Sequence, residues 1–328
     1  MPKFDVRESA RLIGCVRLGP GVYAAQGTIL RSQDDSLVLG NQTWVLENSV
    51  LIGTREFPLT VGRKTVFGHK CIAIGTKIGD LCEIGNGSIF LPGSKVGNMC
   101  IFGEGTIVPA GVQIPDRSVV VGRPGRVIRQ LTASDEAMIR RMRNNDISLE
   151  DYAPERMEPI VREVESMGKL YAFGEKSPQV AATAFLFDSA EITGDVIIGE
   201  HSVIGSGVRI IGDSHGPVRI GSNVQILENS VLHLLPDNQL IIEDDVTIGP
   251  GCIIHGTTIG AGSVIESGAI ICDYSRLGKQ TLVKSGSLVK QRSEFGDYAI
   301  LEGYPAKITG VSEASLDRPA WAIRFDAL

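Results

Sequence analysis

From Ser9 onward an aliphatic residue recurs every six positions, usually with glycine after it. Ile78-Gly79, Ile84-Gly85 and Val96-Gly97 show the pattern early, and Ile198-Gly199, Ile204-Gly205, Ile248-Gly249 and Ile259-Gly260 show it late. A six-residue period fits neither an amphipathic helix nor a simple alternating strand. It predicts an all-β solenoid with three short flat strands per coil. The aliphatic side chain points inward, and the small residue beside it allows the sharp corner. Coils would stack at the ordinary strand spacing of about 4.8 Å. Each buried Val, Ile or Leu would contribute roughly 1.5–3 kcal/mol, so stacking holds the coils together.

The pattern runs twice. From Leu37 to Ile128 the second copy aligns at a constant offset of 181 residues, and before that at 180, as Ser9-Ala10 against Ser189-Ala190 shows. One residue is therefore inserted in the loop at Ser214–Gly216. The two copies close with parallel phrases, Gly122-Arg123-Pro124-Gly125-Arg126-Val127 and Gly303-Tyr304-Pro305-Ala306-Lys307-Ile308, and loop excursions fall near Pro58 and Asp237–Gln239. The expected domains are a first solenoid over residues 1–130, a helical connector and linker over 131–184, a second solenoid over 185–310, and a tail over 311–328. Within the connector, Thr132–Asn144 reads as a helix capped by Thr132 or Ser134, with Met138, Ile139 and Met142 as its apolar stripe. A second helix is expected over Pro159–Met167 and a linker over Lys169–Thr183. The tail would hold at most a short helix, docked through Trp321 and Phe325.

Composition changes this picture little. The 328 residues suffice for two domains, 39 glycines fit a fold of many tight corners, and a net charge of −6 with mixed signs gives no footprint for nucleic acid. There is no run of 18 apolar residues and no basic segment leading an apolar one near the start, so neither a membrane span nor a signal peptide is expected. The six cysteines form no Cys-x-x-Cys pair. Cys71 and Cys252, at equivalent positions, are expected in the core as small hydrophobes. The reading is a soluble cytoplasmic protein acting on a small molecule.

The histidines change it more. At the 181-residue offset His69 faces Pro250, Ile74 faces His255 and Ile52 faces His233. Each position has a histidine in one copy only, as though two copies had divided a three-histidine site. His201 reads as a surface residue. His215, in the inserted loop, is a plain loop residue or a proton shuttle.

The hexads resemble the left-handed β-helix of the hexapeptide-repeat superfamily, and the histidine stretches resemble its γ-class carbonic anhydrases. Those proteins carry a motif ending Asn-x-Gln-Asp-x-x-x-x-His and a later Gly-His-x-x-x-x-His-Gly. The resemblance covers nearly all of both solenoids. It implies homotrimers with zinc, iron or cobalt at subunit interfaces and no organic cofactor, and it implies His69, His233 and His255 as ligands. A closed trimer has an odd number of positions, so a full site requires mixed trimers or direct contact between first and second solenoids. The family's arginine and aspartate before the first ligand are split here between Arg31 and Asp213, a complementary pair or two surface charges. Glu47 and Glu228 stand in the motif's aspartate place, as partners to ligands or as general bases. The motif glutamine is leucine in both copies, and Trp44 nearby suggests a pocket for something bulkier than carbon dioxide. Coenzyme A-dependent acyl transfer and a non-catalytic scaffold are the competing readings for such a solenoid.

Overall fold

The computed structural model describes residues 4–149, 159–162, 168–213, 216–235 and 237–324. The chain divides into two compact units, Met1–Glu163 and Val164–Leu328. Both are parallel β-helices of the left-handed class.

In the second unit three parallel sheets form the three sides. Seven strands from Lys169–Tyr171 to Leu288–Val289 make one, and seven from Gln179–Val180 to Glu294–Phe295 make the next. The third runs from Phe185–Leu186 to Ala299–Gly303 and is closed by the antiparallel Ala306–Val311. The first unit repeats this plan, but the long strands Arg11–Leu18 and Ile29–Leu39 run from one side into the next and join the two into a single sheet. A regular coil advances by 18 residues, as in Glu83↔Ile101↔Val119, so each of the three sides takes six, and coils with a loop excursion advance by up to 22, as in Val231↔Ile253.

The inward aliphatics stack into one continuous core per unit. The first core includes Phe67, Phe90 and Phe102, with the last two rings edge to face at 4.9 Å. Cys71 and Cys252 lie in the cores as expected, and burial pushes both thiols up to about 12. All six cysteines are free.

The glycine after each aliphatic residue serves a different purpose from the one its position suggests. Gly79 does not have a left-handed backbone; a Cβ there would sit 2.6 Å from the Gly97 carbonyl oxygen of the next coil. The left-handed corner falls two residues later, at Leu81 with φ 56°. Glycine is thus required by the closeness of stacked coils rather than by the turn.

Between the solenoids, helix Ala133–Met142 forms as expected, and Thr132 is the cap: its hydroxyl accepts from the Asp135 N–H, and its own N–H donates to the Asp135 carboxylate. The expected second helix does not form at its start. Pro159–Arg162 is a strand, antiparallel to Arg11–Leu18, and residues 163–167 lie outside the described part. Ile160 and Val161 are β-branched and Pro159 opens an edge strand, where a missing N–H is tolerated, so pairing with an open sheet edge wins over helix. The segment read as a linker also contributes: Lys169–Tyr171 and Gln179–Val180 are the first strands of the second solenoid. Their side chains are mostly exposed, so the inward hexad signal is weak there.

Each solenoid is strapped on one face by the chain that follows it. In the first, Arg143 donates to the Lys64 carbonyl at 2.9 Å and pairs with Glu83 at 2.6 Å. Lys64, 1% exposed, bonds the carbonyls of Asp146 and Ser148 and the Asp146 carboxylate. Burial pushes the Glu83 carboxyl up to about 7, against the pull of Arg143. In the second, Gln225 donates to the Ile323 carbonyl at 2.7 Å and accepts from its N–H at 2.9 Å, while Trp321, Ala322 and Ile323 are buried. The described tail contains no helix, and Phe325 lies outside the described residues.

Candidate metal centre

Two of the three histidines share one face of the second unit. His233 follows strand Val231–Leu232, and His255 follows Ile253–Ile254 one coil on. Stacking of these strands brings the rings to 6.2 Å between centroids, nearly perpendicular. His233 Nε2 lies 3.8 Å from an Asp213 carboxylate oxygen. His255 Nδ1 is closed to solvent and faces Asp273 Oδ2 at 3.1 Å. The His255 side chain nonetheless remains 36% exposed, so its accessible edge lies away from Nδ1.

His69 is in the first unit, at the corner after Val66–Phe67. Its Nδ1 lies 2.7 Å from Glu47 Oε2, and its side chain is 53% exposed. Glu47 and Asp273 therefore stand alike in separate units: each sets a carboxylate oxygen close to an imidazole Nδ1, though neither approach has the angle of a hydrogen bond as the rings stand. An imidazole held there by a carboxylate presents Nε2 as a lone-pair donor, the arrangement common behind metal-binding histidines. Among the described residues no three His, Cys, Asp or Glu side chains form a cluster able to hold a metal ion. The second unit by itself offers two imidazoles, and their chemistry fits a borderline-soft divalent ion such as zinc.

The remaining expected residues fall in varied places. Glu228 is 0% exposed, sealed in its corner and unable to present a carboxylate to a substrate. Arg31 is 1% exposed within the first unit, not a surface charge. Asp213 stands near His233. His201 is exposed, at a left-handed corner, and His215 lies outside the described residues. Trp44 packs against Tyr23 over a groove of about 440 Å³ lined by Phe4, Arg7, Val22 and their neighbours. None of the three histidines lines that groove, so Trp44 shapes a different surface. Sequence reasoning missed Asp273 and Asn238. The repeat carries a signal for the first, since 273 − 255 = 18, one coil beyond His255.

Comparison with known proteins bears on this geometry. The family model for the hexapeptide repeat of succinyl-transferase matches residues 58–90 and 239–272. The chain is 44% identical over 110 residues to a carbonic anhydrase of Geobacillus kaustophilus, a match covering 34% of the chain and 60% of the relative. It is 34% identical over 139 residues to the mitochondrial gamma carbonic anhydrase 2 of Arabidopsis thaliana, covering 40% and 50%. It is also 32% identical over 138 residues to the carnitine operon protein CaiE of a Proteus species, covering 42% and 70%. The chain thus spans only 60% and 50% of the two carbonic anhydrases' own lengths.

Proposed function

The chain belongs to the γ-carbonic-anhydrase-like hexapeptide-repeat proteins, and from that premise we propose that it is a metalloprotein performing hydration, hydrolysis or a related lyase step on a small molecule. The observation that carries the reading is the shared orientation of two histidines. His69 and His255 each turn Nδ1 to a carboxylate and leave Nε2 for a ligand. In this reading His233 and His255 of a second unit, with His69 of a first unit, hold zinc, iron or cobalt in a homo-oligomer, with a trimer as the leading arrangement. When bound, such a metal supplies a Lewis-acidic centre with an open position that acidifies water toward neutrality.

The chain's own residues do the rest. Glu47 and Asp273 fix the rings of His69 and His255. In this reading Glu47, 37% exposed at its side chain, is the carboxylate that takes a proton near the centre, whereas buried Glu228 serves as a structural part. Leu46 and Leu227 in place of the family's glutamine make carbon dioxide a weaker candidate than a larger substrate. Carbon dioxide hydration by stopped flow, beside hydrolysis of small esters and thioesters, tests the reading. Loss of activity of at least about 100-fold in H255A and H69A alike is the expected outcome, each variant removing a ligand. Full activity in both would overturn it.

Coenzyme A-dependent acyl transfer is the second reading, favoured by the family model's likeness to the hexapeptide repeat of succinyl-transferase. Coenzyme A raising the melting temperature, by an amount that grows with the logarithm of its concentration, would support it.

A further inference from the structure

We propose that Asp273 is a positioning residue that sets both histidines of the second unit and locks His255 as the Nδ1–H tautomer. The inference rests on reading His233 and His255 as ligands. Asp273 is almost fully buried, and its two oxygens have separate duties. Oδ1 accepts from the Leu235 N–H at 3.1 Å, the Gly256 N–H at 3.1 Å and the Asn238 amide at 3.2 Å. Leu235 lies two residues beyond His233, and Gly256 follows His255, so one oxygen ties the backbones that carry both rings. Oδ2 faces His255 Nδ1 at 3.1 Å.

The tautomer follows from the donor and acceptor inventory. An ionised carboxylate only accepts. An unprotonated Nδ1 would set a lone pair against an oxygen lone pair at a buried site, which is costly. Protonated, Nδ1 needs only a small turn of the ring to direct its N–H at Oδ2, with which it makes no hydrogen bond as it stands, and Nε2 becomes the nitrogen with a lone pair on the accessible edge.

The loop over this carboxylate is built to fit. Asn238 also donates to the Gly256 carbonyl at 2.8 Å, and a Cβ on Gly256 would meet the Asn238 amide nitrogen at 2.2 Å. Glycine is the residue that lets the loop close. The duplicated copy supports the pairing: the first unit has Ile74 in place of His255 and Pro92 in place of Asp273. Histidine and carboxylate are present together or absent together.

The test is the imidazole nitrogen spectrum of the metal-free full chain, labelled with ¹⁵N-histidine and taken at a pH where the rings are neutral, with His255 assigned by H255Q. In the wild type His255 is expected as Nδ1–H. In D273N the amide oxygen keeps the three backbone and side-chain donors, while its NH₂ turns to His255 and donates to Nδ1, so the ring becomes Nε2–H. Zinc added alone should then bind about 10- to 100-fold more weakly to D273N. A wild-type Nε2–H ring, or Nδ1–H retained in D273N, would overturn the proposal, and the wild-type spectrum decides even if the variant fails to fold. A wild-type Nδ1–H ring in a chain that binds no zinc would support the positioning role and remove the metal reading instead.

Discussion

The two solenoids are strapped on equivalent faces by different chemistry. Where the first has Lys64 and Glu83, the second has Asp245 and Val264, and where the first has exposed Trp44, the second has buried Gln225. The first strap is ionic, with Arg143 on Glu83 and Lys64 on Asp146. The second is mainly apolar and amide-bonded, with Trp321, Ala322 and Ile323 packed over Gln225 and Arg318 donating to the Asn223 carbonyl beside them. The stacked core makes the coil whatever covers its face; the cover decides how stability responds to pH. A buried ion pair is sensitive to removal of one partner, while a neutral amide pair is indifferent to protons.

The largest effect should come from breaking the ionic strap on one side. R143M leaves the Glu83 carboxyl buried without its guanidinium, and the first unit should lose about 3–5 kcal/mol in denaturant unfolding. Second comes pH. Glu83 titrates at about 7 in the fold against an ordinary 4.5. Because its folded value is raised, its contribution is fully present below 4.5 and is lost as pH rises through about 7. Stability of the first unit should therefore fall by on the order of 2–3 kcal/mol between those limits, and E83Q should flatten the slope. Val264 gives the second unit no such slope.

Third, Q225L strands the buried N–H and carbonyl of Ile323 and should cost about 1–3 kcal/mol, equally at all pH. The smallest effect is T132A, which removes the helix cap and should cost about 1 kcal/mol. If R143M and Q225L proved equal in cost and in pH response, the contrast between the straps would fail.

Much of the fold could be read because inward residues and close-stacked glycines repeat along the chain. Ile78-Gly79 announces a coil without reference to anything distant. What could not be read depends on partners set by coil stacking or by open edges. Pro159–Arg162 became a strand because Arg11–Leu18 offered it an edge. Arg31 reads either as a partner for Asp213 or as a surface charge, because nothing local marks its burial. Glu228 looked available because its motif position does not record how deep the corner lies. At the candidate centre the histidines were legible by comparing copies, since substitution at a matched position is visible in the sequence. Asp273 was not, because its role depends on one oxygen meeting Leu235, Asn238 and Gly256 from a different coil and loop.

The most direct test of the central claim is the metal content of the full chain purified after metal-replete expression, beside H255A and H69A. The account predicts about one zinc, iron or cobalt per chain in the wild type, as three imidazoles would hold, and its loss in both variants although they alter different units. No metal in the wild type, or metal retained undiminished in both variants, would contradict it.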